Sequence, residues 1–280
     1  MWFSKIAIIW GTSDFGKWWQ NFFERKGFEV IVSSRNTPKT PEQAAKEADV
    51  IIISVTIRYT LDVINNIIKY LPPDKLLMDF TGIKDQATKE LSKYNEWEVV
   101  ATHPMFWPWV DSLENQNIAY DPVKPGKKRN KMYKILEDEG AFLIQLDSKT
   151  HDEIVSLLQS TIHFLNLLLG YVLRKRQVNL KDLNKICTPN SRMQLFLMSR
   201  FLKQHAGLYT DMQMHNEVYK DEIIPEIKEF VNYLENMIEN NDVEKFQEEF
   251  EKIKEFVGED FIDKWVDITS KIDKNLKDNI

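Results

Sequence analysis

The chain has 280 residues, 43% of them hydrophobic, which is enough to bury a sizeable core and excludes a disordered protein. Its formal charge of −6 argues against a nucleic-acid partner, because phosphate binding requires clustered Lys and Arg side chains. The single Cys187 cannot form an internal disulfide and the N-terminus has no signal-peptide pattern, so we expect a cytoplasmic protein.

Strands and helices alternate through the first half of the sequence. The predicted strands are Lys5–Trp10, Phe28–Ser33, Asp49–Val55, Lys75–Gly82, Trp97–Pro104 and Ala141–Ser148. The predicted helices are Gly16–Arg25, Glu42–Ala48 and Leu61–Leu71. Asp49–Val55 is almost wholly apolar, as is typical of a strand buried in a parallel sheet. This alternation predicts an α/β fold with a doubly wound parallel sheet.

Only helical periodicity follows Ser148. The predicted helices are Asp152–Arg174, Leu180–Ile186, Ser191–Gln204, Asp211 to about Asn240, Val243–Phe256 and Phe261 to the end, with a turn at Ala206–Asp211. The change of pattern predicts a dinucleotide-binding domain over residues 1–148 and an all-α domain over residues 149–280.

The segment Ile154–Leu173 has no formal charge and is about as long as a membrane span. It also contains six polar side chains, among them His163 and Asn166, which would be costly in lipid without partners. We therefore expect a helix buried at a subunit interface of a soluble protein rather than a membrane span.

The loop after the first predicted strand, WGTSDFG over Trp10–Gly16, has glycines at the outer positions of a dinucleotide-binding G-x-G-x-x-G pattern. Ser13 replaces the middle glycine, and it is small enough to allow a slightly wider backbone approach to phosphate. A loop between a strand and a helix N-terminus favours nucleotide binding over an ordinary turn. The candidate cofactor-binding residues here are Gly11, Thr12, Ser13, Asp14, Phe15 and Gly16.

The end of the second predicted strand lacks the acidic residue that typically binds the ribose hydroxyls of NAD. Ser33, Ser34 and Arg35 stand there instead. Small hydroxyl side chains followed by Arg suit the 2′-phosphate of NADP, so we expect NADP in preference to NAD at Ser34 and Arg35. The alternative interpretation is a solvated loop.

Histidine and arginine supply the candidates for chemistry. His103 lies at the carboxyl end of the fifth predicted strand, at the edge where open α/β sheets bind ligands. No pair of histidines has metal-ligand spacing, so we expect no metal. Arg192 and Arg200 are eight residues apart on a predicted helix, so both project to about one face, and a buried Arg there requires an anion. We interpret Ile57–Thr60 and Lys124–Asn130 as solvated surface.

Six segments, in this order along the chain, resemble prephenate dehydrogenases, the oxidoreductases of tyrosine biosynthesis. They are GTSDFGKW (11–18), SVTIRYTLDVI (54–64), LLMDFTGIK (76–84), THPMFWP (102–108), LLQSTIHF (157–164) and LYTDMQM (208–214). The resemblance covers nearly the whole chain. Its most specific part is HPMF followed by a helix with the pattern QxxxHF.

The resemblance implies a Rossmann-type domain, an all-α dimerisation domain and a homodimer whose helical halves intertwine. The reaction that it implies is oxidative decarboxylation of prephenate to 4-hydroxyphenylpyruvate, with hydride transfer to NAD(P). His103 matches the residue that takes the proton of the substrate's 4-hydroxyl. Arg200 matches the arginine that pairs with a substrate carboxylate, and His163 matches a substrate-pocket histidine. The resemblance also implies that Ser54 and Val55 are cofactor-binding residues.

Three positions depart from the family pattern. Gly82 stands where the D-x-x-S-V-K turn has a serine that helps His hold the 4-hydroxyl, and Thr81 is adjacent to it. Trp107 replaces the glycine of HPMFGP, and Thr56 replaces a proline after SV. We expect Thr81, Gly82 and Trp107 to shape the substrate pocket. Two alternatives stay open: arogenate or an analogue with an amine at ring position 4 as the substrate, and an NADP-binding dimer without dehydrogenase activity.

Overall fold

The computed structural model describes residues 3–94 and 96–277. These residues divide into two compact units. The first unit extends to Gln159 and also includes Gly207–Val218, and the second contains Ser160–Ala206 and the residues from Tyr219 onward. The expected domain boundary at residue 148 coincides with the first residue of a helix of the first unit.

One seven-stranded sheet forms the centre of the first unit. Its strands are β1 Lys5–Ile9, β2 Glu29–Ser33, β3 Val50–Ile53, β4 Leu76–Asp79, β5 Glu98–Pro104, β6 Asn117–Lys124 and β7 Phe142–Gln145. The spatial order is β2-β1-β3-β4-β5-β6-β7. Because β1 to β5 run parallel, their carboxyl ends lie at one edge. The chain order reverses between β1 and β3, and ligands bind open α/β sheets at this kind of switch point.

Helices connect most of the strands and make up most of the chain after β7. In chain order they are α1 Asp14–Arg25, α2 Pro41–Glu47, α3 Thr60–Ile68, α4 Asp85–Leu91, α5 Lys127–Asp138, α6 Ser148–Val155, α7 Ile162–Lys175, α8 Leu180–Lys185, α9 Pro189–Leu202, α10 Ala206–His215, α11 Ile224–Glu239, α12 Val243–Val257 and α13 Glu259–Lys277. The expected fold class is confirmed, with a mostly parallel α/β sheet followed by a helical region.

The core of the first unit lies on both faces of the sheet. Ile6 and Ile8 of β1 pack in the same cluster as Trp19 of α1, whereas Ala7 and Ile9 pack in a second cluster with α2 and α3. This division follows from the alternation of side chains along a strand. All four residues of β3 are buried, which explains its continuous aliphatic sequence.

Three elements of the first unit, α4, α5 and β6, have no counterpart among the predicted ones. β6 runs antiparallel to β5, so the sheet is not wholly parallel as expected. Its sequence NIAYDPVK contains Pro122 and lacks the apolar run that marks a buried strand. α5 begins at Lys127, within the basic segment interpreted as surface, and it buries Lys128, Met132 and Leu136 on the sheet side. Because the segment is rich in basic residues and its apolar residues are few, the sequence does not show the helical pattern of α5.

The described residues of the second unit form helices joined by short connections and contain no strand. Arg192 of α9 pairs with Asp273 of α13, and Gln194 of α9 donates to Asn166 Oδ1 of α7 at 3.2 Å. Three predictions for the helical region are wrong in detail. A π-helical turn, Ser156–Thr161, interrupts the first predicted helix, and α10 covers the expected turn at Ala206–Asp211. The helix expected from Asp211 to about Asn240 is divided, because α10 ends at His215 and α11 begins at Ile224 after a second π-helical turn.

Apolar side chains cover the segment from α6 to α7. By length and composition alone, Ser148–Lys175 is the one described helix long and apolar enough to cross a membrane, and only 22% of its most apolar window is buried. The large side chains exposed on it in the single chain include Leu157, Leu158, Ile162, Leu165, Leu168 and Tyr171.

Candidate active site

The loop between β1 and α1 lies at the switch point of the sheet. A Cβ added at Gly11 would lie 2.5 Å from Ile8 Cγ2, and one added at Gly16 would lie 2.3 Å from the Gly11 carbonyl oxygen. Both positions therefore require glycine, because α1 packs directly on the tight turn. Ser13 caps α1, and its Oγ accepts a hydrogen bond from Gly16 N at 3.1 Å.

The N-terminus of α1 can receive an anionic group. The first backbone N–H groups of a helix have no acceptor within the helix, and the helix dipole attracts negative charge. Thr12 and Asp14 are exposed here, whereas the half-buried Phe15 ring packs 5.7 Å from the ring of Phe106. Asp14 opposes an anion, but its carboxylate lies 4.0 Å from Lys17 Nζ, which offsets part of its charge. The loop fits a pyrophosphate held mainly by backbone N–H groups.

The loop after β2 holds Ser34 and Arg35 in a defined conformation. The buried Ser34 donates its backbone N–H to Thr37 Oγ1 at 2.8 Å. The guanidinium carbon of Arg35 lies 5.3 Å from the centre of the Trp10 ring. Trp10 has a left-handed backbone conformation, with φ of 64°, and its N–H donates to Ser33 O at 2.6 Å. From the sequence, Trp10 is recognisable only as the end of a strand.

Ser54 and Val55 follow β3 on the other side of the switch point. The backbone N–H of Ser54 donates to Ile9 O at 2.9 Å, so the pairing of β1 and β3 continues to the edge of the sheet. Both residues are half-buried. They therefore lie beside the strand that leads into Gly11, which is consistent with the crevice expected for a cofactor.

His103 lies near the carboxyl end of β5 and takes part in a chain of hydrogen bonds. Its Nδ1 lies 3.0 Å from Nε2 of His151 in α6. His151 Nδ1 lies 2.8 Å from Asp152 Oδ1. The Asp152 carboxylate also accepts the backbone N–H groups of Lys84 at 2.8 Å and Asp85 at 2.9 Å. His151 and Asp152 are buried, and His103 is half-buried.

When both imidazole rings are neutral, one arrangement of their protons satisfies these contacts. An ionised carboxylate only accepts hydrogen bonds, so His151 Nδ1 donates to Asp152. A neutral His151 then accepts at Nε2, and the donor to it is the Nδ1–H group of His103. A neutral His103 therefore has its lone pair on Nε2, where it can accept a proton.

Burial keeps His103 in its neutral form. Removal of the ring from water lowers the pKa of His103 well below 6.5, and the positive charge of Lys84 acts in the same direction. At neutral pH the ring is thus unprotonated on Nε2. This is the state that a general base requires.

Gly82 is the nearest residue of the turn after β4. A Cβ added to it would lie 3.7 Å from His103 Nε2, which is an ordinary contact distance. The neighbouring Thr81 is buried, and its hydroxyl donates to Asp79 and accepts from Lys84 Nζ at 3.1 Å. This hydroxyl is engaged inside the protein, which leaves Gly82 as the residue of the turn that adjoins the reactive nitrogen.

A buried ion pair supports the turn. Lys84 Nζ contacts Asp79 Oδ2, and the two side chains are 2% and 0% exposed. The other Asp79 oxygen accepts the N–H of Thr102 at 3.3 Å, which joins the ends of β4 and β5. Burial lowers the pKa of Lys84, against the opposing effect of Asp79. The sequence does not predict this ion pair, although Asp79 and Lys84 are the first and last residues of the D-x-x-S-V-K pattern.

Aromatic rings follow β5. Trp107 stacks on Trp109 with ring centres 5.5 Å apart, and it meets the edge of Tyr209 at 6.4 Å. Burial raises the pKa of Tyr209 to about 12, so its phenol stays protonated. These three rings form the aromatic wall of the first unit.

Arg58 is an anchor for α10 rather than the solvated residue that its segment predicts. Its Nε donates to Asp211 Oδ1 at 2.6 Å and its backbone N–H donates to Asp211 Oδ2 at 3.2 Å. Asp211 is fully buried. Asn216 adds a bond from Nδ2 to the carbonyl oxygen of Asp152 at 3.0 Å. The segment that follows the expected turn is therefore fixed to the first unit.

Two predicted substrate residues lie in the second unit. The His163 ring packs against Phe201 with centres 5.2 Å apart, and burial lowers its pKa to about 4. Arg200 is exposed on α9, with its guanidinium carbon 5.9 Å from the Phe196 ring. Among the described residues, no carboxylate pairs with Arg200, whereas Arg192 has Asp273 as its partner. Within the same residues, no group of three or more His, Cys, Asp or Glu side chains could hold a metal ion.

Most of the chain is similar to known proteins. Residues 24–145 match the family described as prephenate dehydrogenase, nucleotide-binding domain, and residues 147–252 match prephenate dehydrogenase, dimerization domain. A relative from Methanocaldococcus jannaschii, named probable arogenate/prephenate dehydrogenase, is 32% identical over 267 residues. That match covers 86% of this chain but only 58% of the relative.

Two further similarities are more distant. The T-protein of Haemophilus influenzae is 26% identical over 255 residues, covering 91% of this chain and 67% of that protein. The crystal structure of prephenate dehydrogenase from A. aeolicus in complex with hydroxyphenyl propionate and NAD+ has a TM-score of 0.67 at 18% identity. It covers 89% of this chain and 96% of that chain, and it shows likeness of fold.

Proposed function

Because the chain belongs to the prephenate dehydrogenase family, we propose that it oxidatively decarboxylates prephenate to 4-hydroxyphenylpyruvate with NADP, or NAD, as the hydride acceptor. The observation that carries this proposal is the position of His103 near the carboxyl end of β5, where its Nδ1 lies 3.0 Å from His151 Nε2 and burial lowers its pKa. The same edge carries the glycine loop that fits a pyrophosphate. The proposed setting is tyrosine biosynthesis in the cytoplasm.

His103 acts as the base in the proposed reaction. Its Nε2 accepts the proton of the 4-hydroxyl while the hydrogen on the same ring carbon leaves as hydride. A nicotinamide cofactor supplies the hydride acceptor when it is bound. The bond between the ring and its carboxylate then breaks, CO2 leaves, and the electron pair makes the ring aromatic. The phenolate recovers its proton from His103. General-base assistance of this kind contributes about 10²- to 10⁴-fold.

Arg200 and His163 are the proposed substrate-binding residues of the second unit. An exposed guanidinium with no carboxylate partner among the described residues can form a bidentate pair with a substrate carboxylate, which orients the ring for hydride transfer. With a pKa of about 4, His163 is neutral at pH 7 and offers hydrogen bonds without charge. In the first unit, the aromatic wall with Trp107 suits the flat face of a ring.

The proposed cofactor site runs along the switch point. Backbone N–H groups from Gly11 to Gly16 hold the pyrophosphate, and Ser54 and Val55 line the crevice from β3. Arg35, kept over the Trp10 ring, binds the 2′-phosphate of NADP with Ser34. No carboxylate at the end of β2 repels that phosphate. These features support NADP as the preferred cofactor.

A second candidate substrate follows from Gly82. Gly82 has no side-chain hydroxyl to place beside His103 Nε2. The turn after β4 therefore offers no hydroxyl that would favour a hydroxyl over an amine at ring position 4 of the substrate. This observation supports a 4-amino analogue of prephenate, and arogenate is the corresponding candidate with an altered side chain. The ratio of kcat/KM values for the three compounds ranks them.

The helical unit supports a homodimer. Its match to a dimerization domain and the exposed apolar residues of α7, such as Leu165 and Leu168, favour a second copy of the chain as the cover of this face. Sedimentation should give a dimer, and Leu168→Glu should weaken it. A monomer at micromolar concentration would remove this part of the proposal.

The deciding experiment is an assay of NADP and NAD reduction by the purified protein with prephenate. We expect reduced nicotinamide and 4-hydroxyphenylpyruvate in equal amounts. His103→Asn should lower kcat by about 10²- to 10⁴-fold and leave cofactor affinity unchanged. Binding of NADP without turnover of any of the three substrates would instead support the non-catalytic dimer.

A further inference from the structure

His151 is the only described side chain within hydrogen-bonding distance of His103 Nδ1. We propose that His151, held by Asp152, is a positioning residue that keeps the proton of His103 on Nδ1 and so keeps Nε2 free to act as a base. The expected effect on catalysis rests on the proposed function. The expected tautomer of His103 does not depend on that function.

Asp152 fixes the orientation of the His151 ring. Its Oδ1 accepts from Lys84 N and Oδ2 accepts from Asp85 N, so both oxygens are held at the start of α4. The remaining bond at Oδ1 comes from His151 Nδ1 at 2.8 Å. A ring that was turned over would present a carbon atom to Asp152 and lose this charge-assisted bond. Nε2 therefore points to His103 in the stable arrangement.

Water cannot replace the hydrogen-bond partners of His151 and Asp152. The residue is 3% exposed and Asp152 is 5% exposed, so neither side chain has a solvent substitute for its partner. The charged groups around the two rings include Asp152, which binds His151, Lys84, which lowers the pKa of His103, and Asp121, which lines the same small cavity as His151 and Lys84. Lys84 Nζ only donates, so it offers no acceptor to His103 Nδ1.

Loss of the His151 acceptor would change the state of His103. Without an acceptor for Nδ1–H, the tautomer with the proton on Nε2 is no longer disfavoured, and that tautomer cannot take a proton from the substrate. With His151 present, the positive charge formed on His103 is shared along two hydrogen bonds to the Asp152 carboxylate. Both effects concern turnover rather than substrate binding.

Two replacements of His151 separate these effects from simple packing. His151→Phe retains a planar ring but has no acceptor. His151→Gln keeps an amide oxygen that can accept from His103 Nδ1 and an amide N–H₂ that can donate to Asp152. We expect His151→Phe to lower kcat about a hundredfold with little change in KM or in NADP affinity, and His151→Gln to stay within about tenfold of the unchanged protein.

The tautomer itself is measurable in the unchanged protein, without any variant at position 151. In the full-length protein labelled with 15N-histidine, the His103 signals, assigned through their loss in His103→Asn, should show a protonated Nδ1 and an unprotonated Nε2 at neutral pH. His151→Phe should move the proton toward Nε2. This measurement gives a result even if the protein oxidises neither prephenate nor its analogues.

Each contrary outcome overturns the proposal. A proton on Nε2 of His103 in the unchanged protein would contradict the assigned tautomer. Unaltered kcat in His151→Phe, or equal losses in His151→Phe and His151→Gln, would reduce His151 to a packing residue. Failure of NADP reduction together with the expected tautomer would count against the proposed function and leave the hydrogen-bond chain intact.

Discussion

Gly82 leaves open the space beside the reactive nitrogen of His103, since a Cβ there would lie 3.7 Å from Nε2 and 3.8 Å from Cε1. The backbone of Gly82 does not have a positive φ, so a side chain can be added without strain there. This relationship makes the residue a direct means of testing how the group at ring position 4 is recognised.

Gly82→Ser should raise kcat/KM for prephenate by about fivefold, because its hydroxyl supplies a second hydrogen-bond partner for the 4-hydroxyl, worth about 1 kcal/mol. Gly82→Ala is the matched control, because it adds the same Cβ without a hydroxyl. Steady-state kinetics of both variants with prephenate and its 4-amino analogue provide the measurement. Equal changes in kcat/KM for Gly82→Ser and Gly82→Ala would show that the added Cβ, and not the hydroxyl, changes the activity.

On the acid side of the pH–rate profile, the fall in kcat/KM should be centred at a low pH. The base must be unprotonated, and burial of His103 together with the positive charge of Lys84 lowers its pKa below 6.5. As pH falls through this lowered pKa, a proton fills Nε2 and kcat/KM decreases; above it the base is available and this limb is flat. Because His103 and His151 share a hydrogen bond and Asp152 adjoins them, the apparent pKa belongs to the coupled group.

The pH dependence of kcat/KM at saturating NADP measures this value. An acid limb centred above pH 6.5 would contradict the assignment of the limb to a buried His103. His103→Asn provides the comparison, since its residual activity should lack this limb.

Arg35 should determine the choice of cofactor. Arg35→Ala removes the cation over Trp10, and a lost bond to a charged phosphate costs about 1.5–3 kcal/mol, which corresponds to a roughly tenfold to hundredfold lower kcat/KM for NADP. The value for NAD should stay within about twofold, because NAD has no 2′-phosphate. Arg25→Ala, at the exposed end of α1, serves as the control. Equal losses with both cofactors would refute the assignment of the 2′-phosphate to Arg35.

The buried pair of Asp79 and Lys84 should be important for stability. Lys84→Met leaves the Asp79 carboxylate buried without its cation, and loss of one partner of a buried pair costs about 3–5 kcal/mol. Lys89→Met breaks the largely exposed pair with Asp85 and should cost at most about 1 kcal/mol. Urea unfolding at fixed protein concentration compares the two variants. Similar midpoints would show that Asp79 is held adequately by its remaining hydrogen bonds.

The parts of the fold that sequence predicts are those with strong local signals. β1 and β3 are buried aliphatic runs, so their apolar sequence is visible without knowledge of their neighbours. β6 and α10 lack such signals, since β6 contains Pro122 and α10 has Gly207 near its start. Their structure depends on contacts with distant segments.

The site shows the same limit. His103 is predictable because it follows a strand whose carboxyl end faces the crevice. His151 lies 48 positions later, and nothing local marks it as the neighbour of His103. Asp152 likewise meets Lys84 and Asp85 only in the folded chain, and Trp10 meets Arg35 in the same way. Spacing in the sequence identifies the edge of a sheet, but it does not identify the groups packed against that edge.

The attachment of α10 to the first unit affects the order in which the protein can fold during synthesis. Asp211 is the partner of Arg58 and Asn216 bonds to the Asp152 carbonyl, so the first unit is complete only after Val218 has left the ribosome. From Gln159 to Val218, at about 5–20 residues per second, this delay is on the order of 3–12 s. During that interval the emerging chain carries a nucleotide-binding sheet without its last helix. A fragment that ends at Gln159 would remain permanently in this incomplete state.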